Sequence, residues 1–268
     1  MTTLKQALLV VVAVLSAQAV FSGKTAFADT IVRQNGSELT DITITNARYD
    51  RVQYNANGQD LSLDGGQVAE IRRNSRGLAS ARKSFSGGKL STALKNYNRA
   101  KDALKGWEKA EAMYYIGRVY QIAGQDDKAI DAYDEFVKEF REDKDWWVPH
   151  AVYALGELSL KKKRGKTAAK FFGDLEAFGA TWSLRSKLGK GWALLSAGSH
   201  LEARRSFNEV QKGRNVPLAF QMESTVGRAE VMVAQKQFPE AIKELEKSLF
   251  NASKGVTVYN EWRARGTL

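Results

Sequence analysis

The sequence has no cysteine and only three prolines and two histidines among 268 residues. Without cysteine, the protein can form no disulfide, no thiolate nucleophile and no cysteine-based zinc site. The histidines, His150 and His200, stand far apart and have no companions at the spacing of metal ligands. We therefore expect no metal and no other cofactor.

Long apolar runs are also scarce, with one exception at the N-terminus. Lys5 precedes the unbroken apolar run 8–15, and Ala26-Phe27-Ala28 places small residues just before Asp29. This order of features is typical of a secretory signal peptide. We predict that residues 1–28 are removed after Ala28 and that the protein is periplasmic or secreted, with no transmembrane span thereafter. An uncleaved N-terminal anchor is the alternative, although the run is short for a membrane span.

The sequence also lacks a complete enzyme motif. Gly165-Lys166-Thr167 matches only the end of a phosphate-binding loop, because Leu160 stands where that loop requires glycine. Gly189-Lys190-Gly191 lacks the third glycine of a dinucleotide-binding turn. We found no serine elbow, no paired-histidine zinc motif and no calcium loop. The sequence therefore predicts a protein that is not an enzyme.

What is present changes character along the chain. Residues 29–73 alternate between apolar and polar positions and contain two Asn-Gly pairs, at 35–36 and 57–58. Alternation with period two and Asn-Gly turns predicts short strands joined by hairpins. We predict a small all-β module of SH3-like or Sm-like type. We expect it to lean on the first helix that follows and to cap that end of the chain's helical part.

Residues 74–250 contain a repeated spacing of small and large side chains. Small residues recur at intervals of 35 to 39 positions, and each is followed four positions later by a large apolar residue. The small residues are Ala93, Ala129, Ala168, Ala203 and Ala241, and the large ones are Tyr97, Tyr133, Phe172, Phe207 and Leu245. A second small residue precedes each by twelve positions: Ala81, Gly117, Gly156, Gly191 and Ala229. The expected turns fall at Gly88, Gly124, Lys163, Gly198 and Lys236. Such spacing allows two helices to approach closely at the small residue.

This pattern resembles the tetratricopeptide repeat (TPR) family. The resemblance is strongest at Gly117, Tyr120, Ala129 and Tyr133 and covers about 74–250. It implies a mainly α protein: a TPR-like α-solenoid of about five antiparallel helix pairs. Residues 251–268 then form a partial repeat or a capping helix. An unrelated helical bundle with coincident spacing is the alternative.

The resemblance also implies that the first helix of each pair lines a concave groove. Counted from the glycine register, the best candidates for partner contact are Tyr114, Arg118, Tyr153 and Trp192, since aromatic and arginine side chains bind peptides well. The same register places His150, Glu157, Arg185 and Glu223 in the groove. The alternative is that these side chains only stack between neighbouring helices.

The chain is strongly basic, with a formal net charge of +11. Basic residues are densest at Lys161, Lys162, Lys163, Arg164 and Lys166. This basic surface is open to four interpretations: solvated turn residues, a face for an acidic protein, a face for an anionic polymer or lipid surface, or a nucleic-acid site. Export and the lack of a base-reading module argue against nucleic acid.

We therefore predict a non-enzymatic protein–protein interaction scaffold of the cell envelope, which binds a partner peptide or helix in its groove. The alternative is an envelope-binding module whose basic repeats hold an anionic polymer or a membrane surface.

Overall fold

The computed structural model describes residues 28–213 and 216–246. Most of the predicted signal peptide and the predicted partial repeat or capping helix at 251–268 lie outside these residues. The described chain consists of a five-stranded sheet followed by ten α-helices. The mainly α fold class with a small β module in front is therefore confirmed.

The N-terminal module is an antiparallel sheet with the strand order β4-β3-β2-β1-β5. Its strands are β1 (Asp29–Arg33), β2 (Glu38–Ala47), β3 (Arg51–Ala56), β4 (Gln59–Asp64) and β5 (Val68–Arg72). Asn57 and Gly58 join β3 to β4 with φ angles of 52° and 82°, as an Asn-Gly hairpin requires. A short 3₁₀ turn, Gly65–Gln67, then leads into β5, which pairs with β1. Strand β1 therefore pairs with both β2 and β5.

The helices form five consecutive pairs. They are α1 (Ala79–Ser86), α2 (Leu90–Ala103), α3 (Gly106–Ile122), α4 (Asp126–Phe140), α5 (Val148–Lys161), α6 (Gly165–Asp174), α7 (Ala180–Ser196), α8 (His200–Gln211), α9 (Leu218–Ala234) and α10 (Phe238–Leu245). Each pair turns at a residue with positive φ, and these are the five predicted positions: Gly88, Gly124, Lys163, Gly198 and Lys236. The predicted repeat register is the one that the helices adopt.

Small residues on the first helices leave space for the aromatic rings of the second helices to pack against the helix backbone. A Cβ atom added to Gly156 would lie 2.7 Å from the ring of Phe172. Gly189, one pair further along, approaches the same ring and would place its Cβ atom 2.3 Å from it. Phe172 is fully buried between these two glycines. One aromatic ring thus joins the two helices of its own pair to the first helix of the next pair.

The β module contacts α1, as expected, but its apolar core contact lies further along the helical array, so the expectation of an end cap was wrong. The module lies against the segment between α4 and α5, where Trp146 is buried in the module's own core beside Val52 and Tyr54. The Trp146 amide donates a hydrogen bond to the carbonyl of Ala47 (3.2 Å). Tyr49 contacts the ring of Phe178, which follows α6, at 4.9 Å between ring centroids.

The module also reaches the first and the fourth helix pairs. The α1 residue Arg82 donates to the carbonyl of Arg73, immediately after β5. Thr181, near the start of α7, lies 3.4 Å from the carbonyl oxygen of Gly66. The module therefore lies along several helix pairs. Its partners are residues of α1, of the segment before α5 and of the start of α7.

Within residues 28–213 and 216–246, every helix is too short or too polar to cross a membrane.

Candidate partner-binding groove

The first helices α3, α5, α7 and α9 carry a continuous set of aromatic and charged side chains, which we call the first-helix strip. It consists of Arg118, His150, Tyr153, Glu157, Trp182, Arg185, Trp192 and Glu223. Its members come from different repeats and meet because equivalent helices stack side by side in a solenoid.

Tyr153 and Arg185 form the centre of the strip. The guanidinium of Arg185 lies 5.8 Å from the ring centroid of Tyr153 and 5.6 Å from that of Trp182. Tyr153 is half-buried and packs edge-on against Phe172 at 5.6 Å. Arg185 itself is exposed. The centre of the strip therefore presents a cation held over two aromatic faces, which favours both apolar and anionic contacts.

Glu157 gives the strip a carboxyl that titrates near neutral pH. The pKa of Glu157 is raised to about 7, mainly by burial and next by the nearby charge of Glu223, while Arg185 and a hydrogen bond from Tyr153 oppose the shift. On α7, the indole N–H of Trp192 donates to the Glu223 carboxylate at 2.9 Å. Trp192 is half-buried and packs edge-on against Phe207. Its ring thus packs within the helical array and is also part of the strip.

His150 lies at the end of the strip near the β module and is surrounded by aromatic rings. Its ring centroid is 4.8 Å from that of Trp182 and 5.3 Å from that of Trp147. Burial lowers the pKa of His150 to about 4, although its Nδ1 lies 3.1 Å from the carbonyl of Trp146. His150 is therefore neutral at pH 7 and contributes a flat, uncharged surface.

All four predicted contact residues also make contacts within the protein, and one of them is buried. Tyr114 is only 8% exposed and stacks on Trp147 with ring centroids 4.6 Å apart. Because Tyr114 is buried, its predicted direct contact with a partner does not fit the structure, and its ring packs on Trp147 instead. Arg118 is half-buried and donates to Gln121 at 3.0 Å. Direct partner contact by Arg118, Tyr153 and Trp192 stays a prediction.

The repeat register did not identify Trp182, which belongs to the strip, or Trp147, which packs against His150 of the strip. Trp147 precedes the first residue of α5, and Trp182 is the third residue of α7. Both lie before the positions at which the groove register starts. For Trp182 a signal was available, since it stands three positions before Arg185 on the same helical face.

The basic surface at the turn between α5 and α6 is partly neutralised. Lys161 pairs with Asp126 at 2.8 Å, and Lys162 pairs with Asp127. Lys163 occupies the turn itself with φ of 58°, while Arg164 and Lys166 are exposed. The acidic start of α4 thus meets the basic end of α5, and these two ion pairs reduce the positive charge available to a partner.

In the described residues, no three histidine, aspartate or glutamate side chains come together as a metal site.

The comparisons with known proteins agree with this architecture. The family model for the tetratricopeptide repeat matches residues 111–143, which include α4 and most of α3. No curated protein matches the sequence. The structure of MamA is similar, with a TM-score of 0.53 and 18% identity over 69% of this chain and 96% of that one.

Two further solved structures share the fold. One is a variant of a putative kinesin light chain from Podosopora anserina with nearly identical TPR-like repeats. It has a TM-score of 0.53 and 14% identity over 70% of this chain and 92% of that one. The other is a tetratricopeptide repeat protein from Parabacteroides merdae, with a TM-score of 0.51 and 20% identity over 70% of this chain and 68% of that one. Identities this low show the shared fold alone.

Proposed function

We propose that this tetratricopeptide repeat protein is an exported, non-enzymatic scaffold that holds a segment of a partner protein along its first-helix strip. The fold itself points to protein–protein interaction, because stacked helix pairs form an extended surface of a kind that binds peptides and helices. The export, the envelope location and the use of the strip are the proposed parts.

The observation that carries the proposal is the centre of the strip. Arg185 is exposed while its guanidinium lies over Tyr153 and Trp182. A cation held over aromatic rings loses less conformational freedom when it binds a partner, and aromatic and arginine side chains contribute much of the binding energy at protein interfaces. The strip therefore suits a segment that has both an apolar and an acidic side chain.

The test is capture of partner proteins by the tagged full chain from an envelope extract at low and at moderate salt. Arg185→Ala removes the exposed cation, and Trp192→Phe removes the indole N–H that binds Glu223 while keeping an aromatic ring. We expect the wild type to capture a defined protein at both salt concentrations. The double variant Arg185→Ala/Trp192→Phe should not capture it.

The matched control is the double variant Arg164→Ala/Lys166→Ala, which removes two exposed charges from the basic surface. It should leave capture unchanged. If capture depends on this control pair and disappears with added salt, charge dominates the interaction and the strip proposal is wrong.

A further inference from the structure

A second surface lies between the sheet and the first helix pairs. A cleft of about 280 Å³ is bordered by β5 and Arg73 on one side and by α1, Tyr97, Glu111, Tyr115 and Trp147 on the other. It is formed by both parts of the molecule and would not exist in either part alone.

The β5 side of the cleft is a strand edge. Within the described chain β5 ends the sheet and pairs with β1 alone. The four consecutive residues 70–73 all line the cleft. Residues 70–72 belong to β5, and successive side chains of a strand point to opposite faces. Three consecutive strand residues that line one cleft therefore place the backbone edge of the strand toward it. Ile71 agrees with this, because it is buried within the core of the sheet.

The opposite wall of the cleft is aromatic. Phe85 meets Tyr115 edge-on with ring centroids 5.2 Å apart, and Tyr115 meets Trp147 at 5.6 Å. These three side chains are half-buried, so each keeps some surface toward solvent. Tyr97 is fully buried and its hydroxyl has no hydrogen-bond partner among the described residues. Buried polar groups without a partner are uncommon, and this one borders the cleft.

The charges around the cleft are largely matched within the protein. Arg82 donates to both carboxylate oxygens of Glu111, at 2.6 and 2.7 Å. Arg72 pairs with Glu70 at 3.0 Å. Arg73, the remaining cation, is buried, donates to the carbonyl of Ile44 at 2.8 Å and lies 4.2 Å from the ring centroid of Trp107. Charge complementarity therefore favours an uncharged occupant of the cleft.

We propose that the cleft binds an extended, uncharged peptide segment of a partner protein, which adds as a strand to the free edge of β5. The peptide backbone pairs with β5, and one apolar side chain of the peptide packs on Phe85, Tyr115 and Trp147. Strand addition supplies affinity through main-chain hydrogen bonds, and pockets for alternate side chains supply specificity. The cleft adjoins the first-helix strip at Trp147, which lines the cleft and contacts His150 of the strip. The inference does not depend on the strip.

The test uses random twelve-residue peptides displayed on phage and selected against the full chain. The enriched peptides should carry apolar residues at alternate positions, and one of them is then synthesised. Ser86 is an exposed residue that lines the cleft. Ser86→Trp fills the cleft and should weaken binding of the synthetic peptide at least tenfold. The matched control is Ser91→Trp at an exposed position on α2 outside the cleft, and it should change binding less than twofold.

Backbone methylation of the peptide tests strand pairing directly. An N-methyl group removes one amide donor and keeps every side chain. Methylation at alternate amides should weaken binding about tenfold, whereas methylation at the intervening amides should be tolerated, because a strand uses every second amide toward one neighbour. Hydrogen exchange of residues 68–72 should slow when the peptide binds.

Three results would overturn the inference. One is that Ser86→Trp blocks no enriched peptide while the variant keeps the wild-type melting temperature. Another is binding that is indifferent to methylation at every amide. The third is loss of binding in Arg185→Ala but not in Ser86→Trp, which would support the first-helix strip and exclude the cleft.

Discussion

At the scale of single residues, the turns between paired helices show how a local conformation is shared by different side chains. All five turns use positive φ, but the third and fifth place lysine there, with φ of 58° at Lys163 and 62° at Lys236. A side chain with a Cβ atom adopts this region at a cost of about 1–2 kcal/mol. These two turns are therefore strained relative to the three glycine turns.

We expect Lys163→Gly to raise the free energy of unfolding by about 1 kcal/mol, because glycine adopts positive φ without strain. Part of the gain is lost to the greater freedom of glycine in the unfolded chain. Urea unfolding followed by circular dichroism measures the change. Lys163→Ala removes the same charge without relieving the strain, so it should not stabilise the protein. Equal stabilisation by both variants would assign the effect to charge.

Glu157 predicts a pH dependence of stability. Its pKa is about 7 in the folded protein and 4.5 in a free side chain, so the folded state holds a proton that the unfolded state has lost between these values. The free energy of unfolding should therefore fall as pH rises from 4.5 to 7.

Glu157→Gln should remove this loss and be more stable than the wild type at pH 8, by about 2 kcal/mol. The difference between the two proteins should vanish near pH 4. Unfolding curves at both pH values measure it, and Glu202→Gln at an exposed position of α8 is the control. A constant difference at every pH would show that the carboxyl does not titrate in this range.

At the scale of helices, the packing depends on aromatic rings that are each approached by two glycines from different helices. Phe207 repeats the arrangement of Phe172. A Cβ atom added to Gly191 or Gly227 would lie 2.6 or 2.4 Å from its ring. The repeat spacing predicts the glycine within each pair. The glycine of the following pair lies outside that spacing and brings successive pairs into contact at the same ring.

Gly189→Ala should lower the free energy of unfolding by about 1–3 kcal/mol, although alanine is the better helix former. The reason is that the new Cβ atom would lie 2.3 Å from the Phe172 ring. Gly173→Ala in α6 is the matched control, because no atom lies within 4 Å of its added Cβ. Thermal and urea unfolding should show that Gly173→Ala leaves the free energy of unfolding unchanged or raises it. Equal losses in both variants would contradict the packing argument.

At the scale of the whole molecule, the β module is held by a tryptophan from the helical part. Trp146 is 6% exposed and completes the core of the sheet. Around it, the ion pair between Lys144 and Asp50 is exposed on both sides. Exposed pairs contribute little, so the apolar contact is the main attachment.

Trp146→Ala should cost about 3 kcal/mol or more and should increase hydrogen exchange over residues 29–72 more than over the helices. Exchange followed by mass spectrometry separates the two regions. Lys144→Met removes the ion pair alone and should cost less than about 1 kcal/mol. Uniform acceleration over the whole chain would mean that the module and the helices unfold as one unit.

The repeats were predictable because their signals are local. The spacing of Gly117 and Tyr133 reflects the contact between two helices joined by one turn, and the turns need positive φ within a few residues. The strip was predictable only in part. The register located Tyr153 and Arg185, but it did not show that Tyr114 is covered by Trp147, because burial depends on residues of another pair.

The sequence by itself thus determined the two parts of the chain, the helix pairs, their turns and the side of the helices that carries the strip. Only the tertiary structure decided where the sheet lies, because its contacts join residues as distant as Tyr49 and Phe178 and follow no period. The same docking places the free edge of β5 opposite Phe85 and Trp147. A cleft between the sheet and the helices depends on how these two parts of the chain pack, and that packing leaves no local pattern in the sequence.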